Sequence, residues 1–199
     1  MTEICLVRHG ETDWNAQELI QGSADVALND LGRAQAHAAA ELLAAHRPDV
    51  IYASPLSRAY DTASIIADSL GLSPILTDPA LVERRFGAAE GIPISERRKR
   101  YGTGPIPGAE DWSEVRTRSL RAMESIRDAH AGRRVLVVTH GGVIKSLVAY
   151  MSGDRLNPRD IAIRNASASL VVWDGRWHIE WLDRVADFQH VDTAAIAGR

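Results

Sequence analysis

Arg8 and His9 stand directly behind a short apolar run, Ile4 to Val7, and Arg58 follows a second run, Val50 to Ala53, by five residues. A third run, Val135 to Thr139, leads into His140, Gly141 and Gly142. These residue types suit the capture and transfer of a phosphoryl group. A phosphate monoester carries about −1.5 to −2 charges near neutrality. A planar guanidinium meets its oxygens through paired, charge-assisted hydrogen bonds, each contributing roughly 1.5–3 kcal/mol. An imidazole with one unprotonated nitrogen can act as a nucleophile. Paired glycines let the backbone approach a bound oxygen, and a helix opening there adds positive potential.

For these groups to meet, the apolar runs must be neighbouring strands. Glu3 to Val7 reads as a buried strand because it is nearly continuous in apolar residues. Asn29 and Asp30 predict the cap of a helix from about Leu31 to His46, with Leu31, Ala34, Ala38 and Leu42 inward and Pro48 beyond its end. Ser54-Pro55 reads as a helix opening whose inner stripe is Ala59, Ala63, Ile66 and Leu70, ended by Gly71. A small strand is expected at Pro74 to Thr77. The stretch 83–111 is rich in glycine and proline and is expected to cover the core. Val115, Ser119, Ala122 and Ile126 mark a further helix, and another starts near Gly142 with Val143, Leu147 and Met151 inward. Ala168 to Trp173 and Trp177 to Leu182, joined by Asp174-Gly175-Arg176, read as an antiparallel hairpin. The expected class is therefore α/β: a mostly parallel central sheet, helices on both faces and an antiparallel edge, in one domain over 1–199. In such sheets ligands sit at the carboxyl ends of the strands, which is where Arg8, His9 and His140 fall.

Composition narrows the function classes. The 199 residues are 45% hydrophobic and 25% charged, an ordinary globular mixture. A formal charge of −3 supplies no global basic field, so neither nucleic acid nor a membrane surface is an expected partner. Cys5 is the one cysteine and has no internal disulfide partner. No cationic leader precedes an apolar core at the N-terminus, and no apolar run approaches the roughly 18 residues of a membrane span. A cytoplasmic protein is expected.

The run Leu6-Val7-Arg8-His9-Gly10-Glu11-Thr12 resembles the signature of the histidine phosphatase superfamily, also called phosphoglycerate mutase-like. The likeness continues through Trp14-Asn15, Gln21-Gly22, Leu28 to Ala36, Ser54 to Ala59, Leu81-Val82-Glu83, Glu90-Gly91 and His140-Gly141-Gly142. It implies the phosphoglycerate mutase-like fold, with His9 as the nucleophile that becomes a phosphohistidine and Glu83 as the acid that protonates the leaving alcohol and then activates water. Arg8, Arg58 and His140 would offset the charge on the phosphoryl group, with Asn15, Gln21, Gly22 and Gly141 orienting its oxygens. One nitrogen of His9 must then be unprotonated, and the other is expected to donate to a backbone carbonyl. Glu90 and Glu11 stay open as alternatives to Glu83. Asn165 is expected to support the site from the start of a strand.

Arg84, directly after Glu83, resembles the mutase pattern and implies an acidic substrate. The short cover and the Gly-Gly pair after His140 resemble the phosphatase branch. The reading is a metal-independent phosphomonoesterase that needs no cofactor and acts on a small, acidic phosphorylated metabolite; a homodimer is admitted. A cofactor-dependent phosphoglycerate mutase and a non-catalytic phosphate-binding protein of the same fold are the alternatives.

Other features carry bland readings. His37, His46, His130, His178 and His190 are expected to be ordinary surface or core residues, and no two histidines lie within four residues as a metal pair would. Glu96 to Arg100 reads as a solvated helix face whose best use is to steer acidic substrates. Glu11 stands where a cysteine-phosphatase loop beginning at Cys5 would need arginine. Trp173, Trp177 and Trp181 are expected to cover the core or the sheet edge.

Overall fold

The computed structural model describes residues 1–186. Four strands run parallel: β1 (Thr2–Arg8), β2 (Val50–Ala53), β3 (Ile75–Thr77) and β4 (Arg134–Thr139). β5 (Ala168–Trp173) joins β1 antiparallel, and β6 (Trp177–Arg184) closes the hairpin, so the order across the sheet is β3-β2-β4-β1-β5-β6. Ile4, Cys5, Leu6 and Val7 are all fully buried, which explains their unbroken apolar character, since both faces of this strand are covered. The two faces alternate along it. Ile4 and Leu6 pack with Val135, Val137 and the helices α5 (Trp112–Ala129) and α6 (Gly141–Met151). Cys5 and Val7 pack with α2 (Asp30–Ala44) and α3 (Ser57–Leu70). Two shorter helices, α1 (Asp13–Ala16) and α4 (Ile94–Tyr101), complete the set.

The cap of α2 lies at Asn29 as expected, its side chain accepting from the Gly32 N–H. The inward face matches in part: Ala38 is buried and Leu42 packs against the core, but the buried face is completed by Gly32, Ala36, Ala39, Ala40 and Leu43, and Leu31 is 49% exposed. The rotation is set by backbone contact: a Cβ on Gly32 would sit 2.0 Å from the Glu11 carbonyl oxygen, so α2 turns this glycine towards the loop that follows β1. That contact outweighs the outward turn of one leucine.

Ser54 also departs from expectation. It does not cap α3, whose N-cap is Leu56 without a side-chain bond; the Asp25 carboxylate accepts from the Ser57 N–H instead. The serine is fully buried at the end of β2 and is committed elsewhere. Gly71 ends α3 in the left-handed conformation.

The stretch 83–111 contains α4 and a turn of 3-10 helix at Gly87–Ala89. Arg118 of α5 ties its two ends together, donating to the Glu110 carboxylate at 2.6 and 3.0 Å and to the carbonyls of Ala80 and Val82 at 2.7 Å. In the hairpin, Trp173 and Trp177 meet edge to face, with Arg127 over Trp173 and Arg184 over Trp181. No helix among the described residues is long and apolar enough to cross a membrane. His190 and the tail from 187 onward lie outside the described residues.

Candidate active site

β1 delivers His9 to the carboxyl edge of the sheet, where its N–H bonds to the Thr139 carbonyl at the end of β4. The ring is held by its other side: Nδ1 lies 2.7 Å from the Gly10 carbonyl. A carbonyl can only accept, so Nδ1 carries the proton and Nε2 keeps its lone pair. Burial, reinforced by Arg8 and Arg58, holds this imidazole well below the ordinary value near 6.5, although the Gly10 bond pulls the other way. His9 is therefore neutral.

A shell of polar groups fixes that carbonyl. Asn165 Nδ2 reaches the His9 and Gly10 carbonyls at 3.1 and 3.2 Å and Asn15 Oδ1 at 3.1 Å. Thr62 Oγ1 accepts from the Gly10 N–H at 3.0 Å and donates to the Arg58 carbonyl at 2.7 Å, which ties the nucleophile loop to α3. Thr62 carried no signal in the sequence beyond its place on the inner face of α3. Asn15 Oδ1 also accepts from the Thr12 N–H in the capping box of α1, so its amide nitrogen is left for the cavity that it lines.

Arg58 is fully buried, an expensive setting for a charge unless an anion joins it. Its Nη1 and Nη2 donate to the carbonyls of Ala24 and Gly22, while Nε has no partner. Gly22 thus positions Arg58 through its carbonyl. The glycine is needed, since its φ is 56° and a Cβ would meet the Glu90 carboxylate at 2.1 Å. Arg8 shows the same pattern, Nη1 donating to the Ile163 carbonyl at 2.7 Å with Nε unpartnered. Burial lowers both guanidinium pKa values, and the nearby Glu83 opposes that in each.

His140 lies with its ring centroid 5.2 Å from that of His9. Burial, then Arg58, His9 and Arg8, hold it well below the ordinary imidazole value, so it too is neutral. Its Nε2 is 2.7 Å from Ser54 Oγ, and its Nδ1 is buried without a partner. Besides this contact, the hydroxyl only accepts a long bond from the Leu56 N–H at 3.4 Å. A hydroxyl proton donated to Nε2 would place the ring proton on Nδ1. Arg8 and Arg58 line the same cavity as His9, each with an unpartnered Nε–H, and the unpartnered Nδ1 of His140 belongs to the ring packed against His9. Buried donors without acceptors are rare, and an anion in the cavity would offer acceptors to the two arginines that line it.

Glu83 faces this group from the opposite chain segment. Its carboxylate accepts from the Gly142 N–H at 3.0 and 3.1 Å and from the Arg84 N–H at 2.7 Å, at the opening of α6. A Cβ on Gly142 would lie 2.3 Å from Glu83 Oε1, so the glycine makes room for the carboxylate, and Gly141 packs against the Arg8 side chain. The other two candidate acids sit elsewhere. Glu90 is engaged by Ser23 and the Phe86 N–H, and Glu11 accepts from Asn29; neither lines the cavity over His9.

That cavity is about 680 Å³ and is lined by Arg8, His9, Asn15, Gln21, Gly22, Arg58, Glu83, Arg84 and Gly141, so every predicted site residue but His140 borders it directly. Gln21 is buried with Oε1 unpartnered. Lys145, one turn into α6, also borders it and was missed from sequence; burial and Arg8 lower its pKa while Glu83 raises it. Among the described residues no three His, Cys, Asp or Glu side chains form a metal-holding group. His46, His130 and His178 pair with Glu3, Tyr52 and Asp174, away from the cavity, and His37 is exposed.

The sequence pattern of the histidine phosphatase superfamily (branch 1) matches residues 4–184. A Bacillus subtilis protein described as an uncharacterized phosphatase, PhoE, is 38% identical over 90% of this chain and 93% of its own. A metal-independent phosphoserine phosphatase of Arabidopsis thaliana is 36% identical, covering 100% of this chain and 87% of its own. Among solved structures, Bacillus stearothermophilus YhfR superposes with a TM-score of 0.86 at 30% identity, covering 95% of this chain and 100% of its own.

Proposed function

The chain belongs to the histidine phosphatase superfamily, and we propose that it is a phosphomonoesterase working through a phosphohistidine at His9, without a metal ion, on small acidic phosphorylated metabolites in the cytoplasm. The observation that carries this reading is a free lone pair on His9 Nε2 in a cavity also lined by Arg8 and Arg58, whose buried Nε–H groups have no partner. Phosphoryl transfer asks mainly for positioning and charge stabilisation, and both are present.

Nε2 of His9 forms a bond to phosphorus as the ester P–O bond breaks, and the departing oxygen takes the proton of Glu83. Alcohol leaves. Water then attacks phosphorus on the opposite side from His9, giving its proton to the Glu83 carboxylate, while the N–P bond breaks and returns the lone pair to Nε2. Arg8, Arg58 and His140 stabilise the equatorial charge in both halves. Arg84 and Lys145 favour an acidic leaving group, in keeping with the phosphoserine phosphatase among its relatives. Cys5 is a buried thiol pushed up to about 12 by desolvation, a packing residue suited to a reducing compartment.

The test is hydrolysis of an aryl phosphate and of a panel of phosphorylated metabolites, with and without chelator, beside a coupled isomerisation assay on phosphoglycerate. Turnover undiminished by chelator, with negligible isomerisation, is expected. Loss of activity on metal removal overturns the reading, and isomerisation exceeding hydrolysis favours a mutase.

Ser54 enters as a positioning residue, since its hydroxyl proton selects the tautomer of His140 that points an N–H at the phosphoryl group. Ser54→Ala is expected to lower kcat about tenfold, the scale of one hydrogen bond. Nitrogen-15 spectra supply the check that a merely structural role would not move: protonated Nδ1 in the parent, and a mixture of tautomers in the variant. A parent protonated at Nε2 contradicts the assignment.

A further inference from the structure

Arg58 is held by consecutive residues of the loop between α1 and α2. The carbonyls of Gly22 and Ala24 accept from its two terminal nitrogens at 2.9 and 2.7 Å. The Asp25 carboxylate accepts from the Ser57 N–H and hydroxyl, both at 2.8 Å, at the start of α3. Ser23, between the two carbonyls, is held from a different segment: its N–H lies 3.0 Å from Glu90 Oε1, and its hydroxyl 3.0 and 2.9 Å from the two oxygens of that carboxylate. A group that stabilises a transferring phosphoryl must be fixed to within a fraction of an ångström by the residues behind it. For this fully buried guanidinium, the residues behind it are the loop and whatever fixes the loop.

Glu90 is presented by a rigid base. It follows the turn of 3-10 helix at Gly87–Ala89, which is seated by the Ala88 N–H on the Pro107 carbonyl at 2.9 Å and by the burial of Ala89 with Ile20 and Ile106. Just beyond it, the Gly91 N–H donates to the Ile20 carbonyl at 2.8 Å, and the Ile20 N–H to the Ile92 carbonyl at 3.1 Å. Oε1 accepts from the Phe86 N–H at 2.8 Å as well as from Ser23. Phe86 lines the cavity over His9, so one carboxylate fixes both a piece of the cavity wall and the loop that carries Arg58. Burial is what chiefly lowers the Arg58 pKa, and of the carboxylates that oppose it Glu90 acts less than Glu83 and Asp25. The route from Glu90 to the arginine is therefore the backbone rather than charge.

We infer that Glu90 is a positioning residue for Arg58: by holding Ser23 it sets the Gly22 and Ala24 carbonyls, and through them the angle at which the guanidinium offers its free Nε–H to a phosphoryl oxygen. This rests on the phosphomonoesterase reading and adds to it a residue that does not line the cavity. Arg58 acts on the oxygens that stay with phosphorus, so its help is the same whatever alcohol leaves.

The test is a double-mutant cycle on nitrophenyl phosphate and an alkyl phosphate, with inhibition by vanadate read beside it. Glu90→Ala is expected to lower kcat/KM ~10-fold or more, equally for both esters, and to weaken vanadate by a similar factor, as the loss of its hydrogen bonds to Ser23 and Phe86 would give. Glu90→Gln keeps an oxygen for both N–H groups and stays within about threefold of the parent. In an Arg58→Ala background, Glu90→Ala changes either reading by less than about twofold, because the loop then has no guanidinium to place. Ser23→Ala removes only the hydroxyl and decides the matter if Glu90→Ala does not fold: it is expected to lose about threefold in the parent and nothing without Arg58. Parent-level activity in Glu90→Ala, or in Ser23→Ala where that variant decides, overturns the role of Glu90. So does a penalty undiminished without Arg58, or a Glu90→Gln enzyme as impaired as Glu90→Ala; each leaves the phosphomonoesterase reading standing. A parent that hydrolyses neither ester brings down both.

Discussion

His9→Ala is expected to reduce turnover of every phosphomonoester by ~10⁴-fold or more, the scale on which removal of an enzymic nucleophile acts. The size follows from the geometry around it. Among the described residues no second imidazole borders the cavity: His140 is tied through Nε2 to Ser54 and does not line it, and Lys145 lies one turn up α6. Binding is a separate matter. Arg8 and Arg58 keep their unpartnered donors in the variant, so its affinity for a phosphomonoester is expected to persist while chemistry is lost. Steady-state kinetics beside calorimetric titration of the variant reads both. Turnover within a few-fold of the parent would remove His9 from the mechanism.

The second large effect separates Glu83 from the other two candidate acids, Glu90 and Glu11. Proton donation to a leaving group contributes roughly 10²–10⁴-fold, and its importance grows as the leaving alcohol becomes more basic. Glu83→Gln is therefore expected to lose activity on alkyl phosphates by about 10²–10⁴-fold while phosphorylation of the enzyme by a nitrophenyl ester stays close to the parent rate. Since the same carboxylate activates water in the second half, the variant is expected to give a burst of nitrophenol followed by slow turnover. Glu90→Gln and Glu11→Gln should show no such dependence on the leaving group, because those side chains are bound to Ser23, Phe86 and Asn29 outside the cavity. A Glu83→Gln enzyme equally impaired with both ester types, and without a burst, contradicts its role as proton carrier.

Much of the arrangement was legible because local pattern and one topological rule suffice for it. Apolar runs ending in Arg8-His9 and Thr139-His140 mark strands whose carboxyl ends meet, and the pairing of β1 with β4 places Arg8 opposite Thr139 in the register. The hairpin turn at Asp174 to Arg176 and the cap at Asn29 are likewise written in a few adjacent residues.

What local pattern could not disclose is decided by contacts between distant segments. The face that α2 turns inward depends on Gly32 meeting the Glu11 backbone, so the choice of Leu31 as an inner residue failed despite good spacing. Ser54 looked like a helix cap because serine before proline usually is one; its partner, His140, lies 86 positions away. Thr62 holds Gly10 across 52 positions and Lys145 reaches the cavity from the helix after β4, neither with a distinguishing neighbour in sequence. Arg159 sits in a connection with no periodicity at all, and only the folded arrangement brings it beside Arg84.

The central claim is that a covalent bond forms between phosphorus and Nε2 of His9. Rapid quenching of the enzyme with a phosphorus-32-labelled ester, followed by peptide mapping, tests it most directly. The expected result is a label that is stable in alkali, lost in acid, formed as fast as turnover requires and located on His9. A label on another residue, or full turnover with no covalent intermediate on the catalytic timescale, would contradict it.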